Sequence, residues 1–206
     1  MFAMQNLSIP YYFKYYIGQK QYVQLFNVIG TVALIPGIPF SKPPAKRFGK
    51  RNVFIASSLL AGLFFILSYF PDKGNTTAIY IFNIPAKFTY APAVPLLWTM
   101  LADAADYSEW KFGRRTTGLV FSAATSAQKA VWGIGGALAG WMLAMFRFVP
   151  NAEQSDTALN GIKLMISVFP GVLYMSCDIL LYYYAIDHKT CLVMQEELDK
   201  RRKNLN

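Results

Sequence analysis

Five long apolar runs, near residues 21–40, 52–70, 77–102, 116–146 and 161–186, dominate this chain of 206 residues. A bilayer core of about 30 Å is crossed by about 20 helical residues rising roughly 1.5 Å each. Each run meets that length. In hydrocarbon the backbone must satisfy its own hydrogen bonds, so such runs are read as helices. Composition agrees, because 54% of the residues are hydrophobic and 15% are charged, against about 25% charged in an ordinary soluble domain. The expected fold is all-α, a polytopic membrane protein with about five transmembrane helices.

Charge orients the spans. The segment "SKPPAKRFGKR" between the first two runs carries Lys42, Lys46, Arg47, Lys50 and Arg51 and no acid. Lys111, Arg114 and Arg115 follow the third run, and Lys189, Lys200, Arg201, Arg202 and Lys203 follow the fifth. In a five-span bundle these regions share one side and hold 13 of the 20 basic residues; Lys14, Lys20, Lys73, Arg147 and Lys163 take the other. The positive-inside rule makes the richer side cytoplasmic, with the carboxyl terminus there. The net charge of +9 is thereby read as orientation, with a lipid bilayer rather than nucleic acid as partner.

Other function classes find little support. Cys177 and Cys191 form no CxxC pair and His188 is the sole histidine, which argues against a structural zinc site. There is no GxSxG and no phosphate-cradling glycine loop, so no enzyme, catalytic residue or cofactor is expected. The opening "MFAMQNLSIP" lacks the pattern of a signal peptide. Residues 1–18 are too short to span, and Tyr11, Tyr12, Phe13, Tyr15 and Tyr16 suit an interfacial aromatic belt. A buried aromatic turn is the alternative.

Polar residues inside the runs mark candidate sites. A lysine near the centre of a spanning helix costs about 2.5–3.5 kcal/mol, which makes Lys87 and Lys129 candidates for a transport pathway. Snorkelling to the interface is the competing account. It fits Lys129 poorly, since that residue lies roughly 20 Å into its run. Pro85, Pro92 and Pro95 favour kinks in the third run. Gly136 and Gly140 form a small-xxx-small pair that admits a neighbouring helix. Asp178 is costly within the last run and has no assigned role.

One block, "LLWTMLADAADYSEWKFGRRTTGLVF", concentrates charge between two apolar stretches. Asp103, Asp106 and Glu109 recur every third residue, along one slowly rotating face of a continuing helix. A metal site would want more oxygen ligands and a wrapping loop. Spacing leaves two readings open. Either the acids pair with cations across helix ends as a gate, or they form a solvated loop whose pairs are worth ~0–1 kcal/mol.

The stretch "PLLWTMLADAADYSEWKFGRRTTGLVFSAATSAQKAVWGIGGALAGWMLA", followed by "FVPNAEQSDTALNGIKLMISVFPG", resembles the glycoside-pentoside-hexuronide cation symporters. These form the melibiose-permease-like branch of the major facilitator superfamily. The block Ala102–Gly113 and the "Q-K…G…GG" helix after it are the specific part, and "YYFKYYIG" and "ELDKRR" are also similar to the family. The resemblance implies half of a twelve-helix transporter. Residues 1–18 would be the end of the seventh helix, an amino-terminal stub. Residues 19–186 would be a five-helix bundle, the eighth to twelfth helices, and 187–206 a basic cytoplasmic tail.

The implied protein is a symporter of the bacterial inner membrane that moves a small sugar with Na⁺ or H⁺. Its missing partner is the amino-terminal half, which holds the family's cation-binding aspartates and most sugar contacts; without it the chain is expected to be inactive. Lys129 takes the place of the family's helix-eleven lysine, which the resemblance implicates in the coupling-cation site. Thr125, one turn earlier, shares its face, and Lys87 is expected in the same cavity. Asp103, Asp106, Glu109, Arg114 and Arg115 become cytoplasmic gate residues. A non-transporting sensor or assembly subunit that retains the half-fold is the other reading.

Overall fold

The computed structural model describes residues 2–71, 75–114, 116–184 and 186–203. Lys73, expected on the external side, and Arg115, expected at the gate, lie outside the described residues, as does the side chain of Arg202. Among the described residues the regular structure is helical throughout, with no strand.

Helix α1 (Phe2–Tyr11) runs through Pro10 into a π-helical turn, Tyr12–Ile17, that ends at Gly18 with φ +80°. Proline lacks the amide donor of a regular turn, and local widening beside it accommodates the loss. Helix α2 (Tyr22–Gly37) is followed by a 3-10 turn, Pro39–Ser41, and α3 (Lys42–Phe48), with a bend of 42° between α2 and the segment Pro39–Phe48. Next come α4 (Lys50–Leu67), α5 (Thr76–Tyr90), α6 (Ala93–Phe112) and α7 (Thr117–Met145). The chain closes with α8 (Asp156–Ile166), α9 (Val168–Tyr182) and α10 (His188–Lys203).

Several boundaries differ from expectation. The third run breaks at Ala91–Pro92, and α6 then continues to Phe112, so the acidic block is helical. The last run begins at Asp156, because Ser155 caps it: its Oγ accepts the Ala158 amide at 3.3 Å. Among the described residues, Lys50–Leu67 and Asp156–Tyr182 are long and apolar enough to cross a membrane, and the bent pair Tyr22–Gly37 with Pro39–Phe48 makes a third. The third and fourth runs fall short of that measure. One is interrupted by its prolines; the other places Ser122, Thr125, Ser126, Gln128 and Lys129 in its middle.

Helix α4 is the centre of the bundle, with α9 on one side and α5 on the other. It meets α9 at glycine. A Cβ on Gly62 would lie 2.9 Å from the Gly171 carbonyl oxygen, and one on Gly171 would lie 2.7 Å from that of Gly62. This closeness lets Phe65 stack on Tyr174, with ring centroids 5.5 Å apart. Helix α2 packs on α5, where Gly37 presses against Ala91.

A second core joins α1 and its π turn to α7 and α8 through Met4, Ile9, Tyr12, Phe13, Ile162 and Met165. Tyr12 is 1% exposed and Phe13 0%, which corrects the interfacial-belt reading for these two rings. The helix continues through them, and its π turn lays them against α8. Helix α1 crosses α7 at Gly135, where an added Cβ would stand 2.8 Å from the Ala3 Cβ. The expected pair Gly136 and Gly140 is not the crossing point. A Cβ on Gly136 would meet Leu7 at an ordinary 3.5 Å, and one on Gly140 would meet nothing within 4 Å.

The carboxyl-terminal region is anchored rather than trailing. Cys191, Met194 and Leu198 of α10 pack against Tyr107 and Trp110 of α6. Trp110 Nε1 donates to Glu197 Oε2 at 2.7 Å, and Arg201 Nη1 donates to the Trp110 carbonyl at 3.1 Å.

The α4–α9 crossing predicts a sharp contrast between glycines. Gly171→Ala should cost about 1–3 kcal/mol, because the obstructing atoms include a backbone oxygen that cannot swing aside. Gly140→Ala should be neutral or gain up to about 1 kcal/mol of helix propensity. Thermal unfolding of the two variants in one detergent checks the pair.

Candidate functional site

Helix α7 is covered along one stripe of its carboxyl-terminal half, where Gly135, Ala139 and Leu143 are buried, while Trp141 and Met145 stay exposed. Upstream the cover stops. Every residue from Thr125 to Ile134 is exposed, and this is nearly three turns. Because successive residues point about 100° apart, the helix is open around its whole circumference there. The stretch mixes Thr125, Ser126, Gln128 and Lys129 with Val131, Trp132 and Ile134, of which the last three are 52%, 44% and 58% exposed.

Lys129 and Thr125 stand one turn apart on this open face, as their spacing requires. Thr125 Oγ1 lies 2.9 Å from the Phe121 carbonyl and donates into its own helix. Its acceptor lone pairs remain available to an outside group.

Lys87 is not brought to that face. It sits on α5, which packs between α2 and α4, whereas α7 is flanked by α1, α6 and α8. Lys87 is 8% exposed. Its stem lies 3.7 Å from where a Cβ on Gly30 would be, and its Nζ lies 5.9 Å from the centre of the Phe65 ring. The expectation of one cavity for Lys87, Thr125 and Lys129 is therefore corrected. Packing of α5 against both α2 and α4 encloses Lys87 within the bundle.

The acidic block behaves differently along its length. Asp103 is buried and binds Lys50 Nζ through both oxygens, at 2.8 and 2.6 Å. Lys50 opens α4 immediately after Gly49, so the pair ties the start of one helix to the middle of another. Asp106 and Glu109 follow on α6, half-buried, and Arg114 is exposed just beyond the helix. From sequence Lys50 belongs to the basic segment between the first two runs. Its pairing had one legible signal, namely that both residues were expected at the same end of the bundle.

Asp178 gains a partner that spacing could not supply. Across the α4–α9 interface it is hydrogen-bonded through Oδ1 to Ser58 Oγ, while its buried Oδ2 has no hydrogen bond among the described residues. Within hydrocarbon an aspartate is held by such interior contacts.

Breaking the Lys50–Asp103 pair should be costly. Removing one partner of a wholly buried pair costs about 3–5 kcal/mol. The Lys50 side chain is 32% exposed, which lowers the expected loss to about 1–3 kcal/mol for Lys50→Met. The exchange Lys50→Asp with Asp103→Lys should restore part of it. A double-mutant cycle on thermal unfolding provides the measurement.

Comparison with known proteins points in one direction. Residues 1–188 match the family described as MFS/sugar transport protein. The chain is 30% identical to an uncharacterized 29.9 kDa protein of Pseudescherichia vulneris, over 92% of this chain and 68% of the relative. It is 33% identical to the isoprimeverose transporter of Lactiplantibacillus pentosus, over 86% of this chain and 37% of the relative. With the glucuronide carrier protein homolog of Escherichia coli it shares 24% identity, over 86% of this chain and 38% of the relative. The chain thus spans about two fifths of the length of these two named transport proteins. With a helical fold, membrane-length apolar helices and a family match across most of its length, the chain belongs to the MFS/sugar transport protein family.

Proposed function

We propose that this chain is the carboxyl-terminal bundle of a secondary active transporter. In this reading it moves a glycoside, pentoside or related sugar with Na⁺ or H⁺ by alternating access. One observation carries the proposal, the exposure of α7 around Thr125–Ile134. An intramembrane lysine is tolerated where it faces a cavity or a partner, and Lys129 points away from its own bundle. A companion amino-terminal bundle laid against α7 turns this face into one wall of a central cavity. The relatives named for isoprimeverose and for a glucuronide support reading the substrate as a sugar.

The roles follow from charge. Lys129 neutralises acids of the companion bundle while no ion is bound, and an entering Na⁺ or H⁺ competes with the ammonium. Ion occupancy is thereby linked to the state of the cavity. Thr125 supplies an oxygen beside it. The Lys50–Asp103 pair, with Asp106, Glu109, Arg114 and Arg115, serves as the cytoplasmic gate. The basic end faces the cytoplasm of a bacterial inner membrane by the positive-inside rule. No bond of the sugar is made or broken.

Co-expression with the amino-terminal bundle of a related symporter, followed by uptake of labelled glycoside into vesicles, tests this reading. The expected result is cation-dependent uptake by the pair and none by the chain alone. Lys129→Met should weaken the dependence on the cation by about 5- to 150-fold, the usual span of coupling between sites, with folded yield unchanged. Undiminished coupling in that variant overturns the role given to Lys129.

A further inference from the structure

At the Asp103 end of the bundle a cavity of about 640 Å³ opens between α3, the first turn of α4, α6 and α10. Five cationic side chains line it, Lys42, Lys46, Lys50, Arg51 and Lys189, against the carboxylates of Asp103 and Asp187. Both acids are engaged within the chain. Lys50 spans the two oxygens of Asp103. Asp187 accepts the Thr190 amide at 2.7 Å, and its bonding to Thr190 holds its carboxyl below the usual aspartate range. With Lys50 matched to Asp103, the cations Lys42, Lys46, Arg51 and Lys189 face the one remaining carboxylate of Asp187, which leaves a surplus of about three positive charges at this mouth. The three lysines are exposed. Arg51 donates from Nη1 to the Tyr184 carbonyl at 3.2 Å, while its buried Nε makes no hydrogen bond among the described residues.

Two helix starts lie beside this field. Helices α4 and α10 begin at Lys50 and His188, and the starts meet: a Cβ on Gly49 would lie 3.1 Å from the His188 Cβ. Gly49, at φ +85°, allows the turn. The first turn of α4 has no side-chain cap. The uncapped amino-terminal dipole end of α4 thus favours an anion at this mouth, whereas that of α10 is already capped by Asp187.

Such a mouth accepts any phosphorylated anion, and the neighbouring cleft narrows the choice. A second space of about 470 Å³ shares Phe48 and Asn52 with the first and is lined by Phe40, Val53, Ala56, Leu60 and Phe88. Phe40, Phe48 and Leu60 are 62%, 57% and 49% exposed, so the cleft opens on the outer flank of the bundle. A basic chamber continuous with an apolar channel has the polarity of a phospholipid. We propose that the two spaces together bind one anionic phospholipid, with its phosphate among Lys42, Lys46, Arg51 and Lys189 and an acyl chain along the cleft. Basic pockets between spanning helices hold such head groups, each nearby cation strengthening attraction about fivefold.

The test uses the purified chain, exchanged in detergent with equimolar phosphatidylglycerol and phosphatidylcholine and read by native mass spectrometry. Phosphatidylglycerol should be retained in preference. Lys42→Gln with Lys189→Gln, two exposed side chains, should lower that retention about fivefold for each charge removed. Lys163→Gln, at the opposite end, should leave it unchanged. Ala56→Trp fills the cleft but spares the cations, and should also reduce retention. Glycerol 3-phosphate separates the sources. Displacement of the lipid by this soluble phosphate, with retention indifferent to Ala56→Trp, would reassign the site to free phosphate and overturn the lipid proposal. Equal retention of the two lipids, or retention untouched by the double lysine variant, would overturn it as well.

Discussion

The close approach of α4 and α9 at Gly62 and Gly171 is the contact on which the rest of the bundle depends. Each glycine faces the other's carbonyl oxygen, and neither position has room for a methyl group. Between apolar helices in lipid there is little hydrophobic drive to associate, so tight van der Waals contact at small residues matters more than in water. With the backbones this near, Ser58 reaches Asp178 and Phe65 stacks on Tyr174. The same placement of α4 sets its first residue, Lys50, against Asp103 of α6. A core contact and a charged end are thus two consequences of one crossing.

The two ends of α7 show the opposite condition. Along its later turns one stripe, Gly135, Ala139 and Leu143, is packed, with Gly135 admitting Ala3, while every residue of its middle turns from Thr125 to Ile134 is exposed. A helix that mixes Lys129, Gln128 and Thr125 with Trp132 and Ile134 is neither a lipid-facing stripe nor a finished core. The bundle is well packed on the α4 side and open on the α7 side. The polar residues of α7 thus coincide with the stretch of that helix that its own bundle leaves exposed.

Much of the architecture was legible from runs of apolar residues, because hydrocarbon leaves the backbone few alternatives to helix. The acidic block lies on α6, beyond the expected end of the third run, and Lys42, Lys46, Lys50, Arg51 and Lys189 gather around one mouth of the bundle. Other features escaped for identifiable reasons. Tyr12 and Phe13 look amphipathic in sequence, and only the π turn after Pro10 and the arrival of α8 bury them. The spacing of Gly136 and Gly140 signalled a helix contact one residue away from the true one at Gly135. Lys87 and Lys129 look alike as intramembrane lysines, yet α5 carries the first inward between α2 and α4.

The sequence by itself determined that this chain is helical, apolar enough for a bilayer, polarised in charge, and furnished with a lysine deep in its fourth run. Those properties are local, since they depend on composition within one segment and on the solvent around it. Tertiary structure alone decided which cation meets Asp103, which glycines touch, where Lys87 is buried and which face of α7 stays open. Each of these is a pairing between residues far apart in the chain. Helical periodicity gives the direction of a side chain about its own axis, but only packing supplies the neighbour it meets.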